Sequence, residues 1–262
     1  MLVTKSIYMS KLPKEHQFID LSDYGRPVAR IIANSLKTTK FTPVDVTIAF
    51  VISGLIAVFS IYKGYYVTAA FFLILKSILD AADGELARLK ETPSYTGRFL
   101  DSIADIILNF IIFFTLYYLT DTSLLLTFLA FFGLQLQGTL YNYYYVILRN
   151  RFDGDTTSRV FEDKTPVALP GENQKNVNIL FFLYKTFYGV FDKIIYALDK
   201  NASEGKTLPN WLMSLISTFG LGFQLLLISI LLVFNLKELI IPFFIGYSVL
   251  IFVFVAIRKI FY

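Results

Sequence analysis

Asp80 and Asp83 stand three residues apart, and Asp101 and Asp105 stand four apart. On a helix either spacing puts both carboxylates on one face. The first pair precedes Arg88, where one apolar run ends, and the second follows Gly97, where the next begins. Two antiparallel helices joined by a short turn would bring all four carboxylates to a similar depth, roughly 6–12 Å below the helix ends at 1.5 Å per residue. Isolated charges at membrane depth cost several kcal/mol each, and like charges repel. Either some of the four are protonated, or cations sit between them. All-oxygen ligation suits Mg²⁺, Mn²⁺ or Ca²⁺. Two such ions clamp a diphosphate and stabilise a departing phosphate oxygen.

The residues between the pairs fit that chemistry. Gly84 and Ala87 lie on or beside the first aspartate face, and Gly97 begins the second helix. Small side chains there let a flat or bulky group approach the backbone. Arg88 offers a planar fork for phosphate oxygens. Taken singly, Gly84, Ala87 and Gly97 are more often helix-packing residues. Two other functions use similar acids. A cation transporter lines an ion path with aspartates, but needs neither a nucleotide-sized gap nor Arg88. An intramembrane prenyltransferase holds a diphosphate with Asp and Mg²⁺, but its chemistry does not call for the Gly and Ala-Arg positions.

The elements that carry these residues are apolar runs. Hydrophobic residues make up 55% of the 262, with 27 Phe and 17 Tyr, and they gather in stretches of bilayer-spanning length. The expected fold is an all-α integral membrane protein with six transmembrane helices. The spans are read at Val46–Tyr62, Tyr65–Ala87, Gly97–Leu119, Ser123–Leu148, Trp211–Phe234 and Leu239–Ile257. Of the 24 Lys and Arg, 21 fall on one side of this arrangement. The positive-inside rule puts that side, with both termini, in the cytoplasm. Residues 1–45 read as an N-terminal cytoplasmic segment and 46–262 as the six-span domain. Two amphipathic surface helices are expected. One is capped by Ser22 or Asp23, with Val28, Ile31, Ile32 and Leu36 on its apolar face. The other runs over about Val177–Leu198, inside a cytoplasmic loop of about 149–209. A seventh span there would bury Lys185, Asp192 and Lys193.

Cysteine is absent, which excludes disulfides and thiolate chemistry. His16 is expected to be a solvated surface residue. The net charge of +4 reports loop orientation and attraction to anionic lipid, not nucleic-acid binding. No cleaved signal peptide is expected. Lys76, Asn109, Gln135, Gln137 and Asn142 are candidates for an acceptor pocket, each weighed against a role in interhelical hydrogen bonding. Glu91, Asp153 and Asp155 read as solvated loop charges.

The pattern D-x-x-D-G-x-x-A-R-x8-G-x-x-x-D-x-x-x-D, running from Asp80 to Asp105, resembles the signature of CDP-alcohol phosphatidyltransferases position for position. The six spans, the N-terminal surface helix and the Thr42-Pro43 entry to the first span resemble that family too. The short chain has a prokaryotic aspect, and a prokaryotic cytoplasmic membrane is expected. The resemblance implies a homodimer with an intramembrane cavity open to the cytoplasm, working in phospholipid biosynthesis. It implies two divalent ions, Mg²⁺ or Mn²⁺, held by Asp80, Asp83, Asp101 and Asp105, with Asp105 also the general base. It implies that Gly84, Arg88 and Ser94 contact the CDP-linked donor, and that Ala87 and Gly97 border the nucleotide. CDP-diacylglycerol with a small polar acceptor is favoured as the substrate pair; the family also uses CDP-linked headgroups with lipid alcohols. Where many relatives carry Pro-Asn, this chain has Pro43-Val44-Asp45, so a nucleotide contact from Asp45 in place of that Asn is left open.

Overall fold

A computed structural model describes residues 12–152 and 164–262, and these fold into helices with no strand among them. Asp153 and Asp155 lie outside the described residues. Ten α-helices follow in order: α1 Arg26–Leu36, α2 Pro43–Tyr62, α3 Tyr66–Leu89, α4 Tyr95–Leu119, α5 Leu124–Arg151, α6 Gln174–Leu198, α7 Asn210–Ile216, α8 Leu221–Val233, α9 Lys237–Tyr247 and α10 Val249–Phe261. The chain is an all-α, multi-pass membrane protein.

Four helical stretches, α2, α4, α5 and α9–α10 together, are long and apolar enough to cross a bilayer; α7–α8 makes a fifth if its 56° bend lies within one span. The remaining expected span, the second in chain order, is α3, with 24 residues. It fails on composition alone, because Lys76, Asp80, Asp83, Glu85 and Arg88 crowd its length from the middle onward. It packs against α1, α2 and α8, and Lys76, Asp83 and Glu85 are buried within the protein. Apolar side chains such as Ile52, Phe71, Leu125 and Phe252 point outward, as helices in lipid require.

Helix α2 starts at a capping box. The Thr42 hydroxyl accepts from the Asp45 N–H, and the Asp45 carboxylate accepts from the Thr42 N–H at 2.7 Å. The Asp45 side chain is thereby committed to the helix start. Gly54 then lets α2 approach α4, since a Cβ there would lie 2.7 Å from Leu108 Cδ1.

Two expected spans are broken, each where another part of the chain makes contact. The fifth bends at Gly220, where the N-terminal segment lodges: the Leu21 N–H donates to Ser217 Oγ at 2.9 Å, and a Cβ on Gly222 would lie 2.0 Å from the Ser22 carbonyl oxygen. The sixth divides at Ser248, whose hydroxyl donates back to the Phe244 carbonyl at 2.7 Å while Gln137 donates to Ser248 Oγ at 3.0 Å.

The first surface helix differs from expectation. Neither Ser22 nor Asp23 caps α1, which starts beyond Gly25 with Pro27 in its first turn. Asp20 instead caps a 3₁₀ turn at Leu21–Asp23. The face of α1 that packs on α3 is Ala29 and Ala33, flanked by Ile32 and Leu36. Val28 and Ile31 remain exposed. The second surface helix is α6, which lies across α4 and α5, with Lys185 and Lys193 exposed. His16 is half-buried and stacks on Phe152 at 3.5 Å between ring centroids.

A buried ion pair ties α6 to the C-terminal helix. Asp199 is fully buried, accepts from both Arg258 and Tyr144, and its carbonyl accepts from Tyr143 at 2.9 Å. Removing one partner of such a pair leaves an uncompensated buried charge, at a cost of about 3–5 kcal/mol. Arg258→Met is therefore expected to destabilise the detergent-solubilised protein by that amount in denaturant unfolding. The double variant with Asp199→Asn should cost less than the two single costs added.

Candidate active site

Helices α3 and α4 position the site. Helix α3 closes with the Thr92 N–H on the Ala87 carbonyl at 3.0 Å, and the exposed Glu91 takes a φ of 53° in the turn. Ser94 caps α4, its hydroxyl oxygen accepting from the Gly97 N–H at 2.9 Å. The turn is held from outside by Lys90, whose ammonium donates to the carbonyls of Thr39 and Phe41.

The antiparallel pair brings three of the four aspartates together. Asp80, Asp101 and Asp105 are half-buried and each offers a carboxylate oxygen, all within 4.8 Å of one another. Asp101 Oδ1 is buried with no hydrogen-bond partner among the described residues. An orphaned carboxylate oxygen beside two other carboxylates is a poor arrangement for protein alone. It fits a hard divalent cation with oxygen ligands. The fourth aspartate, Asp83, turns to α2 and accepts from Thr47 Oγ1 at 2.7 Å. Asp105 is paired on its other side with the Lys76 ammonium.

At the turn end of the site, Arg88 lies over Gly84: a Cβ on Gly84 would sit 3.6 Å from Arg88 Nη2. The guanidinium reaches Glu85 Oε1 at 3.2 Å, while its buried Nε has no partner among the described residues. Glu85 was not singled out from the sequence, yet it is a buried hub. Arg26 donates to the same oxygen at 2.6 Å, and Arg30 lies 3.8 Å away. Arg88 is thus oriented by a carboxylate that two residues of α1 also hold. A Cβ on Gly97 would meet Ser94 Oγ at 3.4 Å and Val44 Cγ2 at 3.9 Å, ordinary packing contacts. Ala87 is half-buried nearby in sequence on α3.

Glu172, also missed, docks the segment before α6 onto the start of α4. Its Oε1 accepts from the Ser94 hydroxyl at 2.8 Å and from the Thr96 N–H at 2.7 Å, and its Oε2 from the Leu169 N–H at 3.0 Å. Partial burial acts to raise the carboxyl, but these donors outweigh it and hold Glu172 below the usual glutamate range. A depressed carboxyl stabilises the docked state above the unfolded group's titration range and loses that effect as pH falls through the lower folded value. Glu172→Gln is expected to cost about 1–2 kcal/mol of docking. It should lower the protection of the amides over residues 164–174 at neutral pH, and acidification of the unsubstituted protein should lower the same protection factors once exchange is normalised to its slower intrinsic rate in acid.

The acceptor-pocket candidates separate. Lys76 faces Asp105. Gln137 instead bridges helices, donating to Ser248 and accepting from Gln224 at 3.0 Å each. Asn142 is exposed, and Asn109 is buried. Gln135 is buried with its Nε2 lacking a partner among the described residues.

A sequence model of the CDP-alcohol phosphatidyltransferase family matches residues 40–168. The match takes in α2 to α5 and with them Asp80, Asp83, Gly84, Ala87, Arg88, Ser94, Gly97, Asp101 and Asp105. No curated protein matches the chain.

Proposed function

Because the chain carries a CDP-alcohol phosphatidyltransferase domain over residues 40–168, we propose that it transfers a phosphatidyl group from CDP-diacylglycerol to a small polar alcohol, releasing CMP, in phospholipid biosynthesis. The observation that carries this reading is the convergence of Asp80, Asp101 and Asp105 within 4.8 Å. These three, with Asp83, would hold two divalent ions, Mg²⁺ or Mn²⁺. When bound, the ions neutralise the donor diphosphate and stabilise the oxygen that departs with CMP.

The chain's own groups do the rest. Asp105 takes the proton from the acceptor hydroxyl. The acceptor oxygen bonds to the phosphorus distal to cytidine, and the bond from that phosphorus to the CMP oxygen breaks. Arg88, aimed by Glu85, and the Ser94 hydroxyl contact the donor beside Gly84, while Ala87 and Gly97 border the nucleotide. A proton on Asp105 is then lost to solvent or product. Residues 46–262 form the six-span domain, with α3 as the second span and α7–α8 as the fifth. Both termini and the site face the cytoplasm of a prokaryotic cytoplasmic membrane, and two copies form a homodimer.

Nucleotide binding tests this reading against ion transport. CMP is expected to raise the unfolding temperature of the detergent-solubilised protein only when Mg²⁺ or Mn²⁺ is present. Stabilisation by metal that CMP leaves unchanged would favour the transporter.

A further inference from the structure

Lys76 is not accounted for by the roles above. It lies on α3 one turn from Asp80, on the side away from Arg88. It is 2% exposed, and its ammonium pairs with Asp105 and sits 4.9 Å from the centre of the Phe50 ring. Asp80 and Asp101 also act on it through space. A lysine ammonium has three N–H donors. Asp105 is its one hydrogen-bond acceptor among the described residues. The Phe50 ring shields another side through a cation–π contact, so donor capacity is left over.

Its position says what that capacity meets. Twelve residues of helix separate Lys76 from Arg88, about 18 Å along the axis at 1.5 Å per residue. The donor-contacting end of the site is therefore out of its reach, whereas the proton-accepting carboxylate is its direct neighbour. An acceptor that presents a hydroxyl to Asp105 brings the rest of itself past this ammonium. The neighbouring carboxylates cannot serve Lys76 alone, since the proposed reaction commits them to divalent ions and to the acceptor proton. A buried ammonium is costly without an anionic partner. An acceptor that carries its own anion supplies one.

We propose that Lys76 is a specificity-determining residue that selects acceptor alcohols carrying a carboxylate or phosphate beside the hydroxyl over neutral polyols of similar size. The inference rests on the reaction proposed above. The test uses the full chain in detergent with Mn²⁺ and compares glycerol, glycerate and glycerol phosphate. Two readouts are taken: acceptor binding by thermal shift without donor, and KM and kcat for CMP release from CDP-diacylglycerol.

For the unsubstituted protein, glycerate or glycerol phosphate is expected to bind and react at lower concentration than glycerol. Lys76→Met should raise the KM and weaken the binding of that anionic acceptor about 10- to 100-fold, with a smaller change in kcat. Lys76→Arg, which keeps the charge and the packing stem, should recover part of the loss and covers the case in which Lys76→Met does not fold. Preference for glycerol over both anions, or an equal loss for every acceptor in Lys76→Met and Lys76→Arg, would make Lys76 a structural counter-ion only and overturn the inference while leaving the reaction intact. CMP release with no acceptor at all in the unsubstituted protein would remove the reaction and this inference together.

Discussion

Asp105→Asn lowers acceptor-dependent CMP release by about 10²–10⁴-fold, the range contributed by a positioned general base. Asparagine keeps the shape and cannot take the proton. The substitution has a second consequence, because the Lys76 ammonium that Asp105 faces is 2% exposed. Leaving that charge without its carboxylate costs about 3–5 kcal/mol of stability. Activity lost through unfolding and activity lost through chemistry are separated by the double variant Asp105→Asn with Lys76→Met. It is expected to unfold near the midpoint of the unsubstituted protein in detergent and still to release no CMP above background. Recovery of release in the double variant would show that Asp105 serves only as the partner of Lys76.

Asp101→Asn has the other large effect, and its sign depends on metal. Asp101 Oδ1 lacks a hydrogen-bond partner among the described residues, and Asp80 and Asp105 crowd it. In EDTA, removing one of three crowded carboxylates relieves repulsion, so the variant should unfold at a higher temperature than the unsubstituted protein. With Mn²⁺ the order reverses, because a ligand that binds only the folded state stabilises it in proportion to its occupancy, and the variant loses that gain. Metal-assisted catalysis is worth several kcal/mol, so CMP release should fall about 10³-fold at 1.36 kcal/mol per tenfold. Thermal unfolding with and without Mn²⁺ checks the reversal. A variant as strongly stabilised by Mn²⁺ as the parent would remove Asp101 from the metal site.

The reading of the sequence and the structure diverge where distant segments meet. The spacing within each aspartate pair is local, and the short turn between α3 and α4 makes them neighbours. The sequence therefore predicts all four carboxylates near one another, and Asp80, Asp101 and Asp105 do meet. The turning of Asp83 toward Thr47 could not be read from spacing, because it depends on how α2 packs. Glu85 sits inside the most informative stretch of the sequence, yet its hub role needs Arg26 and Arg30 from α1. The same holds for Glu172 on Ser94, 78 residues away, and for Asp199 with Arg258. Hydropathy located the apolar stretches of α7–α8 and α9–α10 and was blind to the break in each. Ser22 wedged at Gly222 and Gln137 reaching Ser248 are polar contacts made by other parts of the chain. On α1, the expected apolar face mixed two surfaces: Ile32 and Leu36 flank the small residues packed on α3, while Val28 and Ile31 point away from the protein.

CMP release tests the central claim most directly. The purified chain in detergent with Mg²⁺ or Mn²⁺ is given CDP-diacylglycerol and a panel of small alcohols, with Asp105→Asn as control. The expected result is CMP release that requires both metal and an acceptor and is absent from the control. Release only from a CDP-linked headgroup with a lipid alcohol would keep the reaction class and reverse the donor assignment. A folded protein that releases no CMP from either donor and binds no nucleotide with metal would contradict the proposed activity outright.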